Sequence, residues 1–266
     1  MGNSIDMNDM QPVARPLLPI IFVLDTSGSM DGQPISMLNH CMEEVVNIVG
    51  SFAASNPDAL VKIGVLQFSS GVRWIQPKGL EELEHFIYSP LSAAGLTDMG
   101  AALEELDNKL SRKTFLVSTT GRCKPIIIFM TDGQPTDPWE EPLKNLKTTN
   151  KWYQNSIKIG FAVGDAADVR VLSEIVGNSE AVIQTSDLAT FNLLLQKIAI
   201  KSVMIGSKSH VAGETPSSTD IVRETLKETG KGDTAQTAGD MGVKVIDPIV
   251  PDPDDDDDGL WGGDWD

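Results

Sequence analysis

The chain has 266 residues, 41% of them hydrophobic, enough for one sizeable α/β domain with an appendage or for two small domains. Its net charge of −17 is concentrated late: from Ile205 onward 15 acidic residues face 5 basic ones, a balance of −10 that argues against nucleic-acid binding. Two cysteines, Cys41 and Cys123, are too few for a disulfide framework or a cysteine-only zinc site, and no run reaches the roughly 18 apolar residues of a membrane span, so the composition reads as a reduced cytoplasmic protein.

The opening Met-Gly-Asn-Ser-Ile-Asp matches a myristoylation signal only in part, with Asp6 where Ser or Thr is preferred, and it lacks the basic start and apolar run of a signal peptide. Residues 20–24 form an apolar run expected of a strand buried on both faces. Over residues 35–52, Leu38, Cys41, Met42, Val45, Ile48, Val49 and Phe52 recur at helical spacing, which makes Cys41 a core residue. Asn56-Pro57-Asp58 breaks this helix. Residues 61–68 predict a second strand, turning through Ser69-Ser70-Gly71 into a hairpin edge at 72–75. Residues 99–110 predict a helix, 126–130 a strand, and 138–153 a helix with Pro138 in its first turn. Cys123 is expected in a polar loop. A strand at 157–163, a short helix at 169–176, an edge strand at 181–183 and an amphipathic helix at 188–204 complete the pattern. This βαβ rhythm predicts an α/β fold, doubly wound, with a mostly parallel central sheet and helices on both faces.

Beyond Gly206 the character changes. Residues 210–248 are rich in Gly, Thr, Ser, Asp and Lys, too apolar-poor to offset chain entropy, and are expected to be disordered, with at most a transient helical turn at 221–226. The expected organisation is an N-terminal extension at 1–16, the α/β domain at 17–206, a flexible linker at 207–251 and an acidic, tryptophan-bearing tail at 252–266.

Two of the buried strands end alike. The first reaches Asp25, followed by Thr26-Ser27-Gly28-Ser29-Met30, and the strand at 126–130 runs through Thr131 to Asp132 and Gly133. Carboxyl ends of parallel strands line the ligand crevice of an open α/β sheet, so rigid elements aim two carboxylates into one crevice. The segment Ala94-Gly95-Leu96-Thr97-Asp98-Met99-Gly100 adds the Thr97 hydroxyl. A carboxylate ending an apolar strand must be hydrogen-bonded, paired or metal-bound, and no lysine or arginine neighbours either aspartate in sequence. Two acids with Ser27, Ser29 and Thr97 form an all-oxygen set that suits Mg²⁺ or Mn²⁺. Neutral hydroxyl ligands leave such an ion under-neutralised, and a Glu or Asp from a protein partner is a suitable further ligand. Asp25, Ser27 and Ser29 alone would also fit an ordinary strand-to-helix turn capped by Ser29 or Asp31; Thr97 and Asp132 in register favour the metal. Asp137 is expected to cap the helix beginning at Pro138, Asp98 to be an exposed first-turn acid, and Asp165 to lie on the crevice rim.

Asp25-Thr-Ser27-Gly-Ser29, Thr97 and Asp132-Gly133 resemble, in order, the three parts of the metal-ion-dependent adhesion site of von Willebrand factor A (VWA) domains, over roughly residues 19–204. The resemblance implies direct metal ligation by Ser27, Ser29 and Thr97, with Asp25 and Asp132 binding directly or through water. Within the family, Leu-Asp-Thr-Ser-Gly-Ser-Met, Gly-Leu-Thr-Asp-Met-Gly-Ala-Ala-Leu and Thr-Asp-Gly-Gln-Pro-Thr-Asp-Pro-Trp look most like the bacterial tellurium-resistance TerY-like group. That likeness implies a cytoplasmic adaptor in stress response or defence, with a protein kinase and a PP2C-type phosphatase as partners. Leu96 departs from the pattern, since a second glycine is common there. So does the tail, where Trp261 and Trp265 among Asp254, Asp255, Asp256, Asp257 and Asp258 suggest a docking peptide.

An enzyme is not expected. A phosphatase with an aspartate nucleophile needs a second acid where Ser27 stands, the phosphate-binding glycine motifs and a Gly-x-Ser-x-Gly elbow are absent, and no histidine adjoins a motif as general base. A metal-dependent phosphatase-like enzyme and a structural subunit whose metal only stabilises the fold stand as the alternatives to an Mg²⁺-dependent adaptor.

Overall fold

The computed structural model describes residues 15–164, 167–209 and 216–241. Its centre is β1 (Leu17–Asp25), every residue of which is buried. Parallel partners flank it: β2 (Leu60–Ser69) on one side and β5 (Ile126–Thr131) on the other. Beyond β2 lie the antiparallel β3 (Gly71–Trp74) and β4 (Glu81–Glu82). Beyond β5 lie β6 (Ile157–Val163), β7 (Val182–Thr185) and β8 (Gln236–Thr237), the last antiparallel. The order is β3-β2-β1-β5-β6-β7-β8, so the chain leaves β1 in one direction for β2 and later crosses to its other side. The carboxyl ends of β1 and β5 meet at that switch point, where a doubly wound sheet opens its crevice.

Among the described residues, seven α-helices cover the two faces: α1 (Gln33–Ala54), α2 (Met99–Lys109), α3 (Glu140–Thr149), α4 (Lys151–Gln154), α5 (Val169–Val176), α6 (Leu188–Ser207) and α7 (Ser218–Thr229). Successive strand side chains point to opposite faces. Leu18, Ile20, Phe22 and Leu24 pack with α1, α6 and α7, whereas Ile21 and Val23 pack with α2 to α5. The α6 helix is long and apolar enough to cross a membrane by composition. Its apolarity belongs to the core, because Phe191, Leu194, Leu195, Ile198 and Val203 are fully buried.

Four expectations are corrected. The 138–153 stretch is two helices, because the Asn150 carboxamide accepts from the Trp152 and Tyr153 N–H groups and starts a new turn. It is Pro142 that occupies the first turn of α3, where its missing N–H breaks no helical bond. Cys123 lies in the polar loop that leads into β5, with its side chain buried there. Part of the expected linker is ordered: a reciprocal capping box between Ser217 and Asp220 starts α7, Ile221 and Val222 enter the core, and Gly230 at φ +61° ends the helix. The following β8 then covers β7, which is not an edge.

Candidate metal centre

Strand β1 ends at Asp25, which is fully buried. Its Oδ1 accepts the Ser27 N–H at 2.8 Å and its Oδ2 accepts the Thr131 hydroxyl at 2.5 Å. Burial pushes the Asp25 carboxyl above its ordinary range, the hydroxyl and amide donors oppose that shift, and the Asp132 charge adds to it. Burial raises Asp132 too, against the Ser29 donor. Among the described residues no lysine, arginine or histidine forms an ion pair with either aspartate. Two carboxylates with raised affinity for protons and no cationic partner are groups that a metal cation would compensate.

After β1 the chain makes a single 3-10 turn over Gly28–Met30. Ser27 Oγ lies 3.0 Å from Ser29 Oγ, and Ser29 Oγ donates to Asp132 Oδ1 at 2.8 Å, joining the β1 and β5 loops. Gly32, with no side chain to cap with, takes the N-cap position of α1 that Ser29 or Asp31 could have held.

The third loop is pinned from several sides. Gly28 N–H donates to Gly95 O and Ala94 N–H to Thr26 O, both at 2.9 Å. Gly95 has φ +87°, a left-handed value glycine adopts freely, and a Cβ there would stand 2.6 Å from Ser70 Oγ. No non-glycine described residue has positive φ, so Leu96 takes its place without backbone strain. Thr97 N–H donates to Thr136 Oγ1 and Thr136 N–H to Thr97 O, each at 2.9 Å.

Asp137 caps a different helix from the one expected. Its two carboxylate oxygens accept the Gly100 and Ala101 N–H groups at 2.9 Å, in the first turn of α2. Gly100 permits this approach, since a Cβ there would lie 2.3 Å from Pro138 O. Asp98 is half-buried rather than exposed, and its Oδ2 accepts the Gly71 N–H at 2.6 Å.

All five residues singled out as metal ligands are therefore drawn together. A Cβ built on Gly133 would stand 3.2 Å from Ser29 Oγ, 3.9 Å from Thr97 Oγ1 and 4.0 Å from Asp25 Oδ2. Two oxygens from the β1 end and one from the Thr97 loop surround, beside Gly133 of the β5 loop, a space that one methyl group would fill. The three nearest atoms are all oxygens, a donor type that suits a hard divalent cation. Sequence reasoning missed Thr131, Thr136, Asp137 and Ser70 as the positioning residues. Thr131 and Asp137 each carried a signal, a polar residue closing an apolar strand and an acid flanked by prolines, but their partners lie 106 and 37 residues away.

Glu82, Glu84 and His85 bring ligand atoms within 4.8 Å of one another, a grouping no histidine was expected to join; it is largely exposed, and Glu82 is paired with Lys62. Asp165, Trp261, Trp265 and Asp254, Asp255, Asp256, Asp257 and Asp258 lie outside the described residues.

Fold and site together define an α/β domain with an oxygen-lined cradle at the switch point of its sheet. The chain belongs to the von Willebrand factor type A domain family, which it matches over residues 20–198. Similar solved structures include the pilus adhesin SpaC from Lactobacillus rhamnosus GG in an open conformation, with TM-score 0.56, 15% identity, and coverage of 73% of this chain and 30% of that one. Proximal thread matrix protein 1 from the mussel byssus, described as having a zinc-occupied MIDAS motif, gives 0.53 at 22% identity, covering 71% and 48%. A von Willebrand factor type A protein from Catenulispora acidiphila gives 0.50 at 17%, covering 71% and 43%. The chain thus spans half or less of the length of each of these proteins.

Proposed function

We propose that this protein is a non-catalytic, Mg²⁺-dependent binding module that captures a carboxylate from a protein partner. The observation that carries this reading is the convergence of Ser29 Oγ, Thr97 Oγ1 and Asp25 Oδ2 around the space beside Gly133. Ser27, Ser29 and Thr97 would hold the metal directly, with Asp25 and Asp132 direct or through water. Mn²⁺ would serve in its place. The mussel relative is described with zinc in its MIDAS motif; here the absence of sulfur or imidazole among the converging donors favours the harder ions. When bound, the ion supplies positive charge at the crevice mouth that attracts an outside Glu or Asp.

The protein's own groups do the rest. Asp25 and Asp132 balance part of the ion's charge, and neutral hydroxyls leave the remainder for the incoming carboxylate. Thr131, Thr136 and Asp137 fix the three loops so that little ordering accompanies binding. The Ser29–Asp132 bond joins two loops by itself, so a metal that only stabilises the fold is the weaker reading.

The motif likeness to the TerY-like group supports a cytoplasmic role in bacterial stress response, of the tellurium-resistance or defence type, with a protein kinase and a PP2C-type phosphatase as partners. Affinity capture from cell extract tests this: wild type should retain partners in Mg²⁺ and lose them in EDTA, while Asp25→Ala should retain none in either. Capture insensitive to both EDTA and Asp25→Ala would refute it. Turnover of a phosphomonoester by wild type but not by Asp25→Asn would replace the adaptor with an enzyme.

A further inference from the structure

In a chain of net charge −17, cations gather at the end of the sheet opposite the crevice. Arg122, Cys123, Lys124 and Pro125 lead into β5 and, with Lys151 and Trp152 of α4, line a cavity of ≈ 240 Å³. Among the described residues its lining contains no Asp or Glu, and the acid whose charge reaches it is Asp58, which acts on Cys123. The Arg112 guanidinium stands over the Trp152 ring, 5.7 Å from the centroid. Arg122 donates to the Leu116 and Ser118 carbonyls, which hold the side chain without neutralising it. Among the described residues, Arg112, Arg122 and Lys151 form no ion pair. An aromatic wall with a cationic rim takes an aromatic group flanked by carboxylates. The larger cavity beside α7 does not match such a ligand, because Glu180, Asp233 and Asp240 line it with Arg223 and Lys227.

We propose that the cavity is the docking site of this chain's own acidic segment, with the Trp261 indole entering beside Trp152 and Asp254 to Asp258 set against Arg112, Arg122 and Lys151. Charge complementarity is the first argument, since five consecutive aspartates meet the cationic patch.

Reach is the second. Gln236 pairs with Gln184, which is level with Ala162 and Thr131, and the chain then descends antiparallel towards the end of the sheet where Pro125 lies. Between two and three strand spacings across and at most five residues along the strands put the cavity about 20 Å from Met241. Trp261 is 20 residues beyond Met241, and 20 residues suffice for that distance, since a random coil of that length would span about 25 Å root-mean-square. Span and length agree, the condition for a high effective concentration.

The test uses the full chain labelled with fluorotryptophan, whose five tryptophan ¹⁹F signals are assigned by single Trp→Phe variants. Arg112 and Lys151 are exposed, so Arg112→Glu with Lys151→Glu leaves the fold intact. The Trp261 signal should lie away from that of an exposed indole. It should return there in the charge-reversed variant and on raising salt from 0.1 to 1 M, which shortens the screening length from about 10 to about 3 Å. A wild-type Trp261 signal already at the exposed position, or one unmoved by charge reversal, overturns the proposal. So does a displacement that depends on protein concentration, which would mean a second copy, or one that depends on Mg²⁺ rather than on the cations, which would put the segment in the metal crevice.

Discussion

Gly133→Ala separates the metal site from the fold. Gly133 is not among the glycines of positive φ, so alanine takes its backbone conformation without strain. Such a replacement adds about 0.4–1 kcal/mol by restricting the unfolded chain, which the close contact with Ser29 Oγ at 3.2 Å opposes. Metal-free stability should therefore change by less than about 1 kcal/mol and Tm by less than about 4 °C. The methyl occupies the space to which the Ser29, Thr97 and Asp25 oxygens converge, so Mg²⁺ affinity should fall at least tenfold, about 1.4 kcal/mol. At Mg²⁺ equal to 100 times the wild-type Kd, wild type gains about 2.7 kcal/mol of stability, and a tenfold weaker variant keeps about half of that. Thermal unfolding with and without Mg²⁺, beside calorimetric titration, reads both quantities. A variant with the wild-type Mg²⁺-dependent rise in Tm would refute the cradle.

Three further outcomes follow from the same contacts. Burial holds Asp25 above its ordinary carboxyl range, so the metal-free fold prefers it protonated; that contribution is present below the unfolded value of about 3.9 and is lost as pH rises through the higher folded value. Asp25→Asn should accordingly raise Tm in EDTA at pH 7 and abolish the rise produced by Mg²⁺, and wild-type Mg²⁺ affinity should fall as pH drops through the raised value; a lower Tm for the variant in EDTA would contradict this. Asp137→Ala removes both acceptors at the start of α2 and should cost about 1 kcal/mol by denaturant unfolding while weakening Mg²⁺ binding through the Thr97 loop; unchanged stability would count against the cap. Ile221→Ala should cost about 2–5 kcal/mol, because its side chain is buried in the core, and a loss under about 0.5 kcal/mol would mean that α7 is not part of the domain.

The sequence made the sheet and the site legible for a local reason. Strands β1 and β5 are apolar up to their closing Asp25 and Thr131, β6 is interrupted only by Lys158, and Asp25, Ser27, Ser29, Thr97 and Asp132 sit at element ends where chain order alone puts them on one side of the sheet. What it hid depends on distant contacts. Ile221 and Val222 form a stripe too narrow to distinguish α7 from a solvated segment until α6 and the sheet bury it. Asn150 breaks a helix through bonds to Asp107 and Leu110 as well as through its own cap. Asp137 caps α2 because the chain folds back, not because of its neighbours in sequence.

Crystals of the full chain grown in Mn²⁺ offer the most direct measurement, since anomalous scattering locates that ion without reference to a model of the site. One strong peak is expected, bounded by Ser27 Oγ, Ser29 Oγ and Thr97 Oγ1, beside Gly133, with Asp25 and Asp132 bonded to it or to its waters. No peak there at saturating Mn²⁺, or manganese held only by Glu82, Glu84 and His85, would contradict it.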